Sequence, residues 1–465
     1  MMIKKLLFAA LPLTIGLSGC QTIPNAKKMI DDSTSKVEAV EIKGANKNLS
    51  SQHVEKVIDQ LTKSDEDAAL LEQQLKVVQG IINKPLIAGS DTELLYDGEQ
   101  TFKAMLETLE SAKKNINLEY FIFENIQFND HVTLQDILLK KRHEGVDVNI
   151  IYDAAGSINT PASFFETLKK AGVKITEYHP IDINNLSNLN HRDHRKIMVV
   201  DGSIAIVGGI NLSQTYQSRT GLGSSGSRKK IVTTDVDKAH WRDTDLVVKG
   251  PAVAELQKLF LKHWDTTQEI NQTGFFPNLS AQGNQFIHVI GSSPSDDKPY
   301  FYPALIAAIQ NAHKTVVMTS AYFVPTSEQK KALITAAKRG AKVDLILPGL
   351  SDSSLSINVQ RSYYADLLEK GINIYEVDSQ VLHAKTISVD GVWSVVGSSN
   401  FDYRSVSLND EVDVIVLGGK TAQQLNEKFT QDKAKAKKIE SDTWRKRPIT
   451  DKVKQFFSRA FKKLL

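Results

Sequence analysis

The sequence predicts an α/β protein of two duplicated domains, each a largely parallel central sheet flanked by helices, with the functional site at their interface. Three observations predict this architecture. Four segments of the first half recur in the same order in the second half. Within each copy, amphipathic helical stretches alternate with short β-rich runs, a pattern typical of parallel sheets covered by helices. The length of 465 residues is sufficient for two domains with appendages.

The repeat becomes visible when the two halves are aligned. The segments that begin at Asn117, Gly145, Ala171 and His194 correspond to those that begin at Met318, Gly340, Lys370 and His383. Sheets of this kind present ligand sites at their loop-bearing strand ends. We therefore expect a duplicated motif to meet its twin between the domains.

Composition and periodicity divide the chain into five regions. They are a signal peptide (1–19), a tether with N-terminal helices (20–86), a first repeated domain (87–270), a second repeated domain (285–432) and a basic amphipathic tail (433–465). The N-terminal helices are expected to pack beside the first domain. The tail carries apolar residues on one helical face with lysines and arginines around them, which fits either a helix at a lipid surface or a helix packed on its own domain.

The charge balance and the single cysteine exclude several classes of protein. The formal net charge is only +3, so nucleic acid is not an expected partner. One cysteine allows neither an internal disulfide nor a zinc site with several thiolates. No cofactor is indicated, and the oligomeric state is left open.

The lone cysteine lies in a segment that resembles a bacterial lipoprotein signal. A positively charged start and an apolar stretch lead to Leu17-Ser18-Gly19-Cys20. A short membrane helix is the alternative, but the stretch falls short of the roughly 20 residues that a span needs. We expect an exported lipoprotein with lipid on Cys20, anchored on the periplasmic side of the outer or inner membrane.

Each copy carries the same motif: His-x-Lys, four residues, Asp, six residues, and a turn of two small residues, any residue and Asn. The motif residues are His194, Lys196, Asp201, Gly208, Gly209 and Asn211 in the first copy, and His383, Lys385, Asp390, Gly397, Ser398 and Asn400 in the second. Because His and Lys two apart on a strand point to the same face, each motif presents an imidazole with an ammonium.

These residue types suit chemistry at a phosphodiester. A charged phosphodiester repels nucleophiles, so its site needs cations and hydrogen-bond donors around the non-bridging oxygens. Lys196, Lys385, Asn211 and Asn400 can provide them, and this supply removes the need for a metal ion. The small residues, among them Gly209 and Ser398, are expected to let backbone and phosphate approach closely.

The duplicated motif resembles that of the phospholipase D superfamily, and its surroundings resemble bacterial cardiolipin synthases. The carrying segments include Asn190-His-Arg-Asp-His-Arg-Lys, Val207-Gly-Gly-Ile-Asn-Leu, Trp241-Arg-Asp-Thr and Asn400-Phe-Asp-Tyr-Arg-Ser. The resemblance spans about 87–418. The chain departs from the commoner type in lacking N-terminal membrane helices and in an insertion at 218–230.

The resemblance implies roles for the two histidines and their neighbours. His194 would attack phosphorus and form a phosphatidyl-histidine, and His383 would be the general acid that later deprotonates the incoming alcohol. Asp243 and Glu411 match the carboxylates that hold the ring nitrogens, with a surface salt bridge as the alternative. Asp201 and Asp390 each precede a glycine at a strand end, so for them a turn-holding role is favoured over a catalytic one.

The implied function is transfer of a phosphatidyl group to an alcohol such as phosphatidylglycerol. Membrane phospholipids are the expected partners, namely phosphatidylglycerol and, as a further candidate, phosphatidylethanolamine, with the donor lipid left open. Hydrolysis to phosphatidic acid by a phospholipase D is the main alternative, and a non-lipid phosphodiesterase or binding protein is the third. Four residues in family-like segments could line the acceptor site or merely pack: Tyr322, Arg361, Tyr363 and Tyr364.

Overall fold

The computed structural model describes residues 23–34, 41–44, 49–62, 64–82, 84–181, 190–217, 236, 239–265, 267–296 and 299–465. The predicted signal peptide, Cys20 and the insertion at 218–230 lie outside these residues. The helices of the described part are α1 (Ala26–Thr34), α2 (Ser51–Leu61), α3 (Asp65–Ile82), α4 (Asp97–Ser111), α5 (Leu134–His143), α6 (Ala162–Lys170), α7 (Val253–His263), α8 (Phe301–Gln310), α9 (Ser327–Lys338), α10 (Ser354–Arg361), α11 (Tyr364–Glu369), α12 (Tyr403–Ser407), α13 (Gly419–Lys433), α14 (Ser441–Arg445) and α15 (Ile449–Ser458). Short 3₁₀ helices span Gln214–Tyr216 and Arg459–Leu464.

The strands of the described part follow the same duplicated plan. They are β1 (Ile42–Lys43), β2 (Leu86–Tyr96), β3 (Asn115–Tyr120), β4 (Gln127–Asn129), β5 (Val132–Thr133), β6 (Asp147–Asp153), β7 (Lys174–Tyr178), β8 (Arg192–Asp193), β9 (Lys196–Val200), β10 (Ile204–Gly208), β11 (Trp241–Arg242), β12 (Thr244–Lys249), β13 (Gln285–Ser292), β14 (Thr315–Ser320), β15 (Lys342–Pro348), β16 (Asn373–Val377), β17 (Val381–Leu382), β18 (Lys385–Val389), β19 (Trp393–Gly397), β20 (Asn409–Leu417) and β21 (Lys437–Lys438).

The first domain is built on a sheet with the strand order β7-β6-β3-β9-β10-β12-β2. The second repeats it as β16-β15-β14-β18-β19-β20-β13, with β21 added beside β16. The predicted α/β class and the duplication are confirmed. Parallel pairing is found where helices connect the strands, in β3-β6-β7 and β14-β15-β16. The motif strands form the hairpins β9-β10 and β18-β19. These pairs are antiparallel because a tight turn can join only antiparallel neighbours.

The two sheets are joined edge to edge. The first half of β2 pairs antiparallel with β13, and its second half pairs with β12. A shared apolar core lies beneath the junction and draws residues from both motif regions: Ile197, Val199, Val207, Val396, Val412 and Val414. Because this core belongs to both domains, it fixes how the two motifs face each other.

The motif aspartates hold the hairpin turns. Asp201 and Asp390 have left-handed φ angles of 51° and 54°. Each carboxylate accepts hydrogen bonds from three successive backbone N–H groups that lead into a neighbouring strand, those of residues 113–115 for Asp201 and 313–315 for Asp390. Strands β9 and β18 separate these aspartates from the motif histidines. The aspartates therefore position strands from outside the site.

The N-terminal helices pack on the second domain, so their expected placement beside the first domain is wrong. Helix α3 lies along α8, and the side chains of Leu71, Leu75 and Val78 join the core of the second domain. The reason lies in α8, where every residue from Phe301 to Ile309 is buried. A helix that is apolar on all sides must be covered on all sides. No helix in the described ranges combines the length and apolarity needed to cross a membrane.

Candidate active site

Two short parallel ladders between the domains carry the candidate active site. Strand β8 of the first domain pairs with the start of β20 of the second, and the His194 N–H donates to the Asp410 carbonyl at 2.9 Å. Strand β11 of the first domain pairs with β17 of the second, and the His383 N–H donates to the Arg242 carbonyl at 2.8 Å. The residues that follow Asp410 and Arg242 are Glu411 and Asp243, and each of them therefore lies beside the motif histidine of the opposite domain.

Glu411 and Asp243 are the two predicted carboxylates, and they pair crosswise, each with the motif histidine of the other domain. Nδ1 of His194 lies 2.9 Å from Glu411 Oε2, and Nδ1 of His383 lies 2.7 Å from Asp243 Oδ2. Both carboxylates are fully buried, so neither forms a surface salt bridge. A carboxylate on Nδ1 orients the ring and leaves Nε2 for chemistry. Each domain therefore supplies the histidine of one pair and the carboxylate of the other.

The environment of Glu411 keeps it ionised and His194 neutral. Glu411 also accepts hydrogen bonds from Ser398 Oγ at 2.5 Å, Ser405 Oγ at 2.8 Å and Asn409 Nδ2 at 3.2 Å. Burial raises the pKa of Glu411, but His194, Lys196 and the Ser398 hydroxyl outweigh burial, and the net shift is downward. Burial lowers the pKa of His194 to about 4; Glu411 opposes this shift and Lys196 adds to it. A neutral imidazole is the nucleophilic form.

The two motif lysines make the site suitable for an anion. Both are buried, and each donates from Nζ to the carbonyl of its own motif histidine. Burial lowers the pKa of Lys196 to about 7; Glu411 opposes this shift, and Lys385 adds to it. Burial likewise lowers the pKa of Lys385. Two ammonium groups that repel each other in a buried site would be stabilised by a phosphate between them.

Around His383 the predominant neighbours are aromatic. Its Nδ1 lies 3.1 Å from the Tyr216 hydroxyl and 2.8 Å from Lys385 Nζ. The ring also packs against Trp241 and Tyr322, with centroids 5.2 and 6.2 Å away. Burial and then Lys385 lower the pKa of His383. Motif spacing did not identify Tyr216, because no corresponding residue of the second copy is a tyrosine.

The small residues of the turns make room for buried carboxylates, and the close approach of phosphate to them stays a prediction. A Cβ on Gly209 would overlap Asp243 Oδ1, and Ser398 at the matching place in the second copy hydrogen-bonds Glu411. Next to them, a Cβ on Gly208 or Gly397 would overlap the carboxylate of a further buried aspartate. The requirement for small residues at Gly209 and Ser398 therefore comes from the carboxylates that hold the histidines, and at Gly208 and Gly397 it comes from two other buried carboxylates.

The two asparagines have different settings. Asn211 Oδ1 accepts from the Ile122 N–H at 3.1 Å, and its Nδ2 donates to the Tyr216 hydroxyl at 3.3 Å. Asn400 Oδ1 is buried with no hydrogen-bond partner among the described residues. Part of the Asn211 amide is thus committed to the fold, whereas Asn400 keeps capacity for a ligand.

Of the residues considered for an acceptor site, Tyr322 alone is near a motif histidine within the described part of the chain. Its hydroxyl donates to Asp352 at 2.5 Å, and its ring lies at His383. Arg361 pairs with Glu376 through two hydrogen bonds of 2.8 and 2.9 Å, and Tyr364 donates to the same carboxylate. Tyr363 is buried in the second core. For these three residues, structural packing is the better interpretation.

A buried charged cluster lies behind the His194 ladder, and sequence reasoning missed it. Ligand atoms of Glu119, Asp193 and His263 lie within 4.8 Å of one another, close enough in principle for a metal ion. However, Arg195 Nη1 is 3.6 Å from Glu119 Oε1. Burial and Arg195 act to lower the pKa of His263, but Glu119 and Asp193 raise it to about 9. Since these cations already balance the carboxylates, the cluster fits a support for β8 better than a metal site.

Comparisons with known proteins agree with this geometry. A family model described as "Cardiolipin synthase, PLD-like domain" matches residues 105–220 and 305–433. The chain is 32% identical over 385 residues to a cardiolipin synthase of Listeria welshimeri. The aligned region covers 82% of this chain and 76% of that protein. It is 31% identical over 441 residues to a cardiolipin synthase of Alkalihalophilus pseudofirmus, covering 91% and 84% respectively.

Among solved structures, the phosphatidylserine synthase of Haemophilus influenzae has a similar fold. The TM-score is 0.62 at 13% identity, and the match covers 85% of this chain and 100% of that one. At this identity the likeness concerns the fold alone.

Proposed function

Because the chain belongs to the phospholipase D-like cardiolipin synthase family and is a phosphatidyltransferase of that superfamily, we propose that it makes cardiolipin through a phosphatidyl-histidine. The observation that supports this most is the crosswise pairing of His194 with Glu411 and of His383 with Asp243. In-line displacement at phosphorus needs an attacking group and a proton donor on opposite sides. Two oriented imidazoles contributed by opposed domains meet that need.

In the proposed first step, the donor phosphodiester binds between Lys196 and Lys385. Nε2 of neutral His194 attacks phosphorus, forming an N–P bond as the P–O bond to the headgroup alcohol breaks. His383 gives its proton to the departing oxygen. Asp243, 2.7 Å from Nδ1 of His383, stabilises the protonated ring until it gives up its proton. The negative charge of Glu411 balances the positive charge that develops on His194.

In the proposed second step, an alcohol replaces the headgroup. His383, now neutral, removes the hydroxyl proton of the acceptor, and the alkoxide oxygen attacks the phosphatidyl-histidine. The N–P bond breaks and His194 returns to its neutral form. With phosphatidylglycerol as acceptor, the product is cardiolipin.

Product partition tests the choice of acceptor. Purified enzyme given phosphatidylglycerol, with or without phosphatidylethanolamine, is expected to produce more cardiolipin than phosphatidic acid. Water is present at about 55 M, so a transferase must position its alcohol beside the intermediate to gain a large effective concentration. Lipid mass spectrometry measures both products, with His194→Ala as the blank. Phosphatidic acid as the main product at every acceptor concentration would make the protein a hydrolase.

We also propose that the protein is an exported lipoprotein, held by lipid on Cys20 at the periplasmic side of a membrane. Cys20→Ser is expected to block maturation or release the protein from membranes, because the acyl chains are its main anchor. The folded domains begin after the tether, so the chemistry should persist. Fractionation and the mass of the N-terminal peptide measure the outcome, and unchanged processing with unchanged retention would contradict the proposal.

The pKa shifts in the site predict a bell-shaped pH profile for kcat/KM. Since burial lowers the pKa of His194 to about 4, the attacking nitrogen is lost to protonation only as the pH falls toward that value. Since burial lowers the pKa of Lys196 to about 7 and also lowers the pKa of His383, the proton donor, the rate should decline as the pH rises through neutrality. Lys196→Arg should remove the contribution of the lysine to the alkaline limb, at a reduced rate. An alkaline limb that persists unchanged in this variant would assign it to His383 alone.

A further inference from the structure

Helix α15 turns its apolar face away from the protein. The exposed fractions are 77% for Ile449, 48% for Val453, 73% for Phe456, 65% for Phe457 and 48% for Phe461. Their spacing places them on one side of the helix and its 3₁₀ extension. We call these five residues the aromatic face. Monomeric proteins rarely leave contiguous large apolar side chains exposed without a function.

The opposite, polar side of α15 holds the helix to the second domain. Gln455 and Ser458 are buried, and Gln455 Oε1 accepts from Arg447 Nε at 3.1 Å and Nη2 at 2.9 Å. The 3₁₀ extension is held by two cation–π contacts. Arg459 lies 4.7 Å from the ring centroid of Tyr363, and Lys462 lies 5.6 Å from that of Tyr403. The orientation is therefore fixed by specific contacts, and it is the reverse of a helix that buries its apolar side.

Positive charge surrounds the aromatic face. Residues 445–465 include eight lysines and arginines and one acidic residue, Asp451. Lys452 and Lys454 are exposed on α15 itself. Aromatic side chains flanked by lysines suit the headgroup region of an anionic bilayer. The same charge disfavours a second copy of this chain as the occupant, because two such surfaces would repel each other.

The helices that support α15 lie on the side of the second domain that carries the candidate active site. Helix α15 packs on α10 and its extension on α12. Helix α10 follows Asp352, which accepts the hydrogen bond from Tyr322 beside His383. Helix α12 follows Asn400 of the second motif. Both supporting helices thus leave the sheet at the edge where the motif residues lie.

We propose that the aromatic face is a docking surface for an anionic phospholipid bilayer, and that it turns the edge of the active site toward the lipid. The orientation of the active site rests on the proposed function, which supplies the reason for turning the site toward lipid. The docking of the aromatic face on a bilayer does not rest on it. A chain anchored only through Cys20 and a tether could rotate freely, whereas a second contact near the site restricts that rotation.

The experiment uses the full-length lipidated protein, in which Cys20 carries lipid and a new cysteine is the one free thiol. Phe457→Cys is labelled with an environment-sensitive fluorophore, and Glu107→Cys, exposed on α4 of the first domain, is the matched control. Vesicles contain phosphatidylglycerol or phosphatidylcholine, with doxyl-labelled lipid as quencher. In phosphatidylglycerol vesicles we expect strong quenching at 457 and little at 107, with the quenching at 457 reduced by salt.

Equal, weak quenching at the two positions would overturn the proposal. So would loss of solvent exposure at 457 without lipid, accompanied by thiol cross-linking between chains, because the face would then be an interface between copies. The readout does not depend on the product formed, so it stands even if the protein proves to be a hydrolase. As a second variant, Phe456→Ser with Phe457→Ser should lower turnover on vesicles about tenfold or more while leaving turnover on detergent-dispersed lipid unchanged. Equal loss on both substrates would contradict a docking role.

Discussion

His194→Ala is expected to lower phosphatidyl transfer by about 10⁴-fold or more and to leave no lipid attached to the enzyme, because the attacking nitrogen is removed. His383→Ala should slow turnover by about 10³-fold and still trap lipid on His194, since it impairs the proton transfers and spares the attacking ring. Intact-protein mass spectrometry after a brief pulse of phosphatidylglycerol measures the adduct, and peptide mapping locates it.

His143→Ala is the matched control for these variants, because His143 is exposed at the end of α5, outside the site. It should retain full activity and the wild-type adduct. An adduct mapped to His383 would exchange the two roles. Full activity of His194→Ala would exclude a covalent intermediate on His194.

Glu411→Gln is expected to lower the rate of adduct formation on His194 by about 10³-fold, although the two residues belong to different domains. The amide is neutral, so the group 2.9 Å from Nδ1 can no longer balance the positive charge that develops on the ring. Asp243→Asn should act on the other histidine, so the adduct should still form on His194 while both proton transfers of His383 are slowed. Single-turnover measurements separate the two steps.

Asp413→Asn provides the control on the same strand. Asp413 lies two residues beyond Glu411 on β20, where burial raises the pKa of its carboxyl well above the ordinary value and Ser399 donates its hydrogen bonds. An amide of the same shape should change little there. If Glu411→Gln instead slowed only release and Asp243→Asn slowed only adduct formation, the roles of the two histidines would be reversed.

Much of the candidate site could be predicted because its signal is local. The alternation of a strand places His194 and Lys196 on one face whatever the rest of the chain does. The turn role of Asp201 also follows from local chemistry, an aspartate before a glycine at a strand end. Duplication then doubled each signal and predicted a site between the two copies.

The packing partners of the N-terminal helices and of Tyr363 and Tyr364 could not be predicted from the sequence. Their patterns predict that an element is amphipathic or a ring is buried, but they carry no information on which surface it meets. Helix α3 covers α8 because the latter is apolar on every side, and Tyr364 donates a hydrogen bond to Glu376 on the neighbouring strand β16. Those choices depend on volumes and contacts that exist only after the sheets have formed.

The sequence by itself determined the duplicated α/β domains, the two motifs and the identity of the two carboxylates. The tertiary structure alone decided that the carboxylates cross, Glu411 to His194 and Asp243 to His383, over separations of 217 and 140 residues. It also decided that α15 faces outward with its aromatic residues. The physical reason is the same in both cases. Spacing along a strand or helix sets the direction of a side chain, whereas its partner is set by how the shared core beneath β9, β12, β19 and β20 docks one domain on the other.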